Sequence, residues 1–300
     1  MSEVRTHVRV IDLLVLSAVP LFLFAAQLLP PAAREELALA YARPTVVTMV
    51  TAHFVHTTWN HFLSNLGAYT IVTLTAYVLS VLTDRRRQFL TVFVLVLALV
   101  PIGLSWLSLQ VRSTGIARGF SGIVMALLGY LVLIQVGYFG LRFSPTAHLD
   151  HAPGIFFVGI AAIGVVTGPP TRITGILVGG AIILAGIYLW PVLRASSISG
   201  VIEGLGRTGY FEVGAFSAVT STWVVLTTFS ARTGQGTVIV DQVSHLLGFS
   251  VGFILAYVAL RTDCSIAHVC HCARPDADCT LHDSRLTRSL RWLLVRVGYC

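Results

Sequence analysis

The chain reads as long apolar blocks separated by short polar breaks. A block of about twenty apolar residues can cross the roughly 30 Å hydrocarbon layer of a bilayer as a helix, which satisfies its own backbone hydrogen bonds there. Eight such blocks are present. They run from about Val10 to Leu29, Thr58 to Leu82, Phe89 to Leu109, Gly119 to Phe139, Gly154 to Gly168, Ile173 to Leu193, Tyr210 to Phe229 and Thr237 to Leu260. The pattern predicts an all-α, polytopic membrane helix bundle of about eight helices. The fifth block is short, and the Pro169-Pro170 pair after it is its boundary. The first is long enough to span and no small-x-small cleavage site follows it, so it reads as an uncleaved helix rather than a signal peptide.

Composition agrees with this pattern. Of 300 residues, 55% are apolar and only 11% charged, against roughly 25% charged in a typical soluble domain. That excludes a soluble globular protein, and the same hydrophobicity excludes a disordered chain. The formal charge of +7 invites a nucleic-acid partner, but the basic residues are spread along the interhelical segments without aromatic interleaving, so no nucleic acid is expected. All twenty are Arg. With the N-terminus inside, fourteen fall on inner segments and six, Arg34, Arg43, Arg112, Arg118, Arg172 and Arg232, on outer ones. The positive-inside rule then predicts a multi-pass protein of the cell membrane with both termini cytoplasmic. The expected organisation is a transmembrane domain over residues 1–261 and a Cys/His/Arg-rich cytoplasmic tail over 262–300.

Polar side chains inside such helices are expensive and mark function by default. Three groups stand out: His53, His56, His61 and Asn65 around the start of the second span, Ser121 in Gly119-Phe120-Ser121-Gly122 at the start of the fourth, and His245 near the start of the eighth. All three spans are even-numbered, so all begin on the same face of the membrane. His61 and Asn65 share a helical face at i, i+4, whereas His56 fits only in the turn before that helix. A hydroxyl nucleophile needs a base in reach and donors for the oxyanion it creates. Ser121 at a helix N-terminus has unpaired N–H groups beside it, Gly119 and Gly122 permit a tight turn and close approach, His245 can be the base, and Asn65 and His61 can add donors.

The pattern His56-x4-His61-x3-Asn65, then Gly119-x-Ser121-Gly122 running into Ala126-Leu127-Leu128-Gly129, then His245-x2-Gly248-x3-Gly252, closely resembles the rhomboid intramembrane serine proteases. The resemblance covers roughly residues 46–139 and 237–260. It implies a serine endopeptidase that cuts single-span membrane proteins in or beside their transmembrane segments. The implied site is a Ser121–His245 dyad with no acidic third member, His61, Asn65 and the Ser121 N–H around the oxyanion, and Gly248 and Gly252 packing the histidine helix onto the serine helix. It implies no cofactor. The family core has six helices, and this chain has three spans rather than one between serine and histidine. An odd number keeps Ser121 and His245 on one face, so the extra pair is permitted.

Other readings stay open at this point. A silent rhomboid-like protein that binds or escorts membrane helices would need neither Ser121 nor His245, and a transporter using the histidines would be indifferent to Ser121. The three early histidines could ligate a metal, but no HExxH motif or carboxylate accompanies them, so no metal is expected in the membrane part. Asp241, one turn before His245, could orient its imidazole, or be an interfacial acid favoured by the helix N-terminus. In the tail, Cys264, Cys270, Cys272 and Cys279 with His268, His271 and His282 could hold zinc but lack paired CxxC knuckles. Leucines at helical spacing among arginines from Ser284 to Val297 suit a helix on an anionic leaflet.

Overall fold

The computed structural model describes residues 8–144, 146–167, 171–195, 209–230 and 242–272. Ten α-helices lie among them. They are α1 (Val10–Gln27), α2 (Pro31–Glu36), α3 (Val46–Thr51), α4 (Trp59–Leu82), α5 (Arg86–Val111), α6 (Ser121–Arg142), α7 (Ala152–Thr167), α8 (Arg172–Ala195), α9 (Tyr210–Ser230) and α10 (Gln242–Cys272). Two-residue strands β1 (Leu39–Ala40) and β2 (Ile116–Ala117) pair antiparallel. Among the described residues, seven helical stretches are long and apolar enough to cross a membrane: α1, α4, α5, α6, Leu149–Val166, α8 and Gln242–Arg261. The chain is therefore a multi-pass, all-α membrane bundle. The remaining expected span, α9, is a 21-residue helix that is not among the seven; Glu212, Ser217, Thr220, Ser221 and Thr222 dilute its apolar run.

Several helix ends differ from the limits of the apolar blocks, most plainly those of α5 and α10. Helix α5 begins at Arg86 and ends at Val111, outside both limits set by the apolar block: arginine and glutamine are good helix formers, so Arg86, Arg87 and Gln88 continue the helix at one end and Gln110 at the other. Helix α10 continues past Arg261 to Cys272, since nothing in Thr262-Asp263-Cys264 breaks a helix. The Pro169-Pro170 pair, Asp241, and the tail beyond Cys272 lie outside the described residues, as do the side chains of residues 262–272. The chain divides into two compact units, Met1–Ala256 and Tyr257–Cys300.

Within the first unit, α6 is the axis. Its apolar window is 78% buried, against 17% for α8. Helix α4 runs parallel to α6, with Tyr69 against the Phe120 ring at one end and Ser80 bonded to the Tyr130 hydroxyl farther down. Helix α10 is also parallel to α6 and closer. A methyl group on Gly248 would overlap the carbonyl of Gly122, and one on Gly252 the backbone of Ala126, while Gly129 presses on Phe249 and Phe253. These small residues let the two backbones touch, which is how helices gain van der Waals contact when lipid gives no hydrophobic drive.

Helix α9 is antiparallel to α6. The Tyr138 hydroxyl donates to the Tyr210 carbonyl, Gln135 donates to Ser221, and at the far end Phe229 meets the His245 ring edge to face. Helix α7 is antiparallel to α10, with Phe156 stacked on Phe249 and Phe253. Helix α8 turns back along α7, where Gly154 meets Leu189 and Gly164 meets Val178. At the end opposite Ser121, buried Asp12 of α1 accepts from Tyr77 and from the Arg86 guanidinium. A buried carboxylate persists only when paired in this way.

Candidate active site

The segment before α6 explains why a serine stands where it does. After β2 the chain must reverse into the helix within three residues, and Gly119 does so at φ +122°, a left-handed conformation that favours glycine. Its amide donates to the Ala52 carbonyl at 2.9 Å. Phe120 is the N-cap residue and Ser121 the first residue of α6. The amides of Ser121 and Gly122 are therefore among those that no intrahelical carbonyl can accept.

Ser121 meets His245 from the parallel helix: the Oγ to Nε2 distance is 2.7 Å. His245 is buried and Ser121 half-buried. The hydroxyl donates to Nε2 when the imidazole proton resides on Nδ1, the arrangement a general base requires. The glycine contacts set this distance, because Gly122 and Gly248 fall one residue after Ser121 and three after His245. Farther out, the Ser108 hydroxyl of α5 lies 3.0 Å from that of Ser244, so a third helix holds the first turn of α10.

His61 and Asn65 flank the same turn. A methyl on Gly119 would lie 2.7 Å from His61 Cε1, 2.8 Å from its Nε2 and 3.5 Å from Asn65 Nδ2. Glycine is required there twice over, for its backbone and for this space. Asn65 is buried, and neither its Nδ2 nor His61 Nδ1 has a hydrogen-bond partner among the described residues. Leaving a buried donor unmet costs about 1–3 kcal/mol, and a ligand oxygen beside Gly119 would meet the Asn65 donor.

His56 lies in the extended turn before α4 and is fully buried. Its Nε2 accepts the Phe120 amide at 3.3 Å, so it fixes the turn that carries Ser121. Burial pushes its pKa down to about 3, helped by His61 and by the cation of Arg34, and the ring stays neutral as acceptance demands. Arg34 of α2 donates to the His56 carbonyl at 2.7 Å. The positive-inside count treats Arg34 only as an outer charge, so this anchoring is invisible in the sequence.

His53 leaves the group. Its Nε2–H is shared between the Pro101 carbonyl at 3.0 Å and Ser105 Oγ at 3.1 Å, while the Ser105 hydroxyl donates to the Met49 carbonyl. Burial lowers its pKa to about 4. It ties the loop to α5, whereas the His56 and His61 rings meet each other at 5.0 Å. Among the described residues no three His, Cys, Asp or Glu side chains converge as metal ligands would. The side chains of Cys264, His268, Cys270, His271 and Cys272 are not described, and Cys279, His282 and Asp241 lie outside the described residues.

Chemically, the assembly combines a hydroxyl with a base in hydrogen-bond contact, unpaired amides at a helix N-terminus, and a buried carboxamide on the same turn. No family model matches the chain, and comparison with curated proteins and with solved structures likewise gives no match.

Proposed function

We propose that the protein is a rhomboid-type intramembrane serine endopeptidase, with Ser121 as nucleophile and His245 as general base. The observation that carries this is the 2.7 Å contact between Ser121 Oγ and His245 Nε2 at the N-terminus of α6. As Oγ attacks a peptide carbonyl, its proton passes to Nε2. The resulting oxyanion accepts from the Ser121 amide, Asn65 Nδ2 and the His61 ring. The imidazolium then gives its proton to the leaving amine, and the C–N bond breaks to leave an ester on Ser121. A water, deprotonated by the same imidazole, hydrolyses that ester and restores the hydroxyl. No metal or cofactor enters these steps.

Helix direction supports a full crossing by α9. Helices α6 and α10 are parallel neighbours, so an odd number of crossings must separate them, and α7, α8 and α9 supply three. The six-helix core then consists of α1, α4, α5, α6, α9 and α10, with α7 and α8 as the added pair. The Arg distribution favours cytoplasmic termini and a dyad in the outer half of the cell membrane.

The substrates are single-span membrane proteins. A side groove of about 910 Å³ between α4 and α9, lined by Leu63, Leu66, Ile71, Leu74, Val213 and Phe216 among others, is open to an apolar helix. The helix must unwind near Ser121, because intact helical carbonyls are held in hydrogen bonds. The test is labelling of the detergent-solubilised protein by a fluorophosphonate probe, expected for the native chain and lost in Ser121→Ala. Absence of labelling in the native protein would overturn the protease and leave the helix-binding reading.

A further inference from the structure

Among the described residues that line the side groove one is charged, and it stands at one end. On α4 the lining runs from Leu63, between His61 and Asn65 and so level with the site, to Val78 near the other end. Those fifteen steps of rise cover about 22 Å along a helix. The hydroxyls of Thr70 and Thr75, which also line it, are spent on the carbonyls of Leu66 and Ile71. Leu63 and Phe216 are exposed, so the groove faces outward from the bundle. At its far end stands Glu212, in the first turn of α9.

Glu212 is exposed, its Oε2 accepts the Gly209 amide at 2.8 Å, and no described cation pairs with it. The nearby Arg142 lies over the Tyr210 ring and donates to the Leu82 carbonyl. A carboxylate with, among the described residues, a single neutral donor at the end of an apolar groove is complementary to a cation that arrives on an apolar helix.

We infer that Glu212 is a specificity-determining residue, which selects single-span helices carrying an arginine or lysine about fifteen residues from the cut bond. The inference rests on the protease reading for what becomes of the bound helix, and on the groove alone for how that helix is chosen. With the dyad in the outer half, Glu212 stands at the cytoplasmic end, where spans generally carry their basic flank. The groove thus fits the most ordinary single-span proteins and discriminates by the register of the flank.

The experiment uses the full protein in vesicles of neutral lipid. Single-span substrates carry one arginine at the predicted position, one helical turn nearer, one turn beyond, or a glutamine instead. The predicted register should lower KM about two- to fivefold relative to glutamine, the range of a partly exposed ion pair, with little effect on kcat. Glu212→Gln, which keeps an acceptor for the Gly209 amide, should level the series. Glu212→Arg should reverse it for a substrate with glutamate in that register. Photo-crosslinking of the same substrates to Ser121→Ala reads binding without catalysis. Charge-dependent capture without cleavage or probe labelling would sink the protease reading and keep the selection by Glu212. Cleavage indifferent to charge and register, in the native protein and in both Glu212 variants, would sink the selection and keep the protease.

Discussion

Glycine 129 offers a test of how the bundle sets its chemistry from a distance. It sits eight positions, about 12 Å, along α6 from Ser121. A Cβ built there would lie 2.5 Å from the Phe249 carbonyl oxygen and 2.5 Å from the Phe253 amide nitrogen. Both obstacles are backbone atoms of α10, so no side chain can swing away. Ordinary carbon contacts need at least about 3.4 Å, and Gly129→Ala must therefore separate the helices by roughly 1 Å. Carried to the dyad, that would stretch the Ser121–His245 contact from 2.7 Å to about 3.7 Å, beyond hydrogen-bond reach. A misplacement of this size costs on the order of 10²-fold in rate, and the overpacking itself about 1–3 kcal/mol of stability. The assay is kcat on a reconstituted single-span substrate beside the thermal midpoint in detergent. Gly103→Ala is the control: nothing lies within 4 Å of the added methyl, and alanine is the better helix former. Native kcat and midpoint in Gly129→Ala would refute the claim that backbone contact between α6 and α10 sets the dyad distance.

Other expectations follow from the same geometry. Ser121→Ala, His245→Ala and the double variant should share nearly one residual rate, because each removes the same step; multiplied losses would argue for independent roles. Asn65→Ala should lower kcat by about 10²–10³ with little change in KM, as loss of an oxyanion donor does, and an effect confined to KM would count against that assignment. Below about pH 6.5 the unfolded chain protonates His53 and His56, whereas folded they resist down to about 4 and about 3. Their contribution is thus intact above 6.5 and lost as pH falls, by about 2 kcal/mol per histidine at pH 5. Denaturation midpoints from pH 7 to 5 should fall accordingly, and less steeply in His53→Gln. Arg34→Ala removes the charged donor on the His56 carbonyl and should weaken fluorophosphonate labelling of Ser121 without abolishing it; labelling at the native rate would show that the α2 contact is dispensable.

Much of the architecture is legible in the sequence because a bilayer admits so few solutions. The apolar blocks alone locate the long helices, since any other backbone at that depth would leave its polar groups unmet. The parity of the eight expected spans puts Asn65, Ser121 and His245 at one end of the bundle before any contact is known. Apolar blocks cannot show where polar residues continue a helix, which is why α5 and α10 extend beyond the stretches those blocks mark. Nor could they reveal which histidine does what. His53, His56 and His61 look alike in sequence, and only packing sends the first to Pro101 and Ser105, the second to the Phe120 amide and the third to Gly119. The hold of Arg34 on His56, the Ser108–Ser244 contact and the Glu212-ended groove are likewise tertiary facts. They join residues far apart in the chain, and hydrophobic periodicity, a one-dimensional signal, carries no record of which helix faces which.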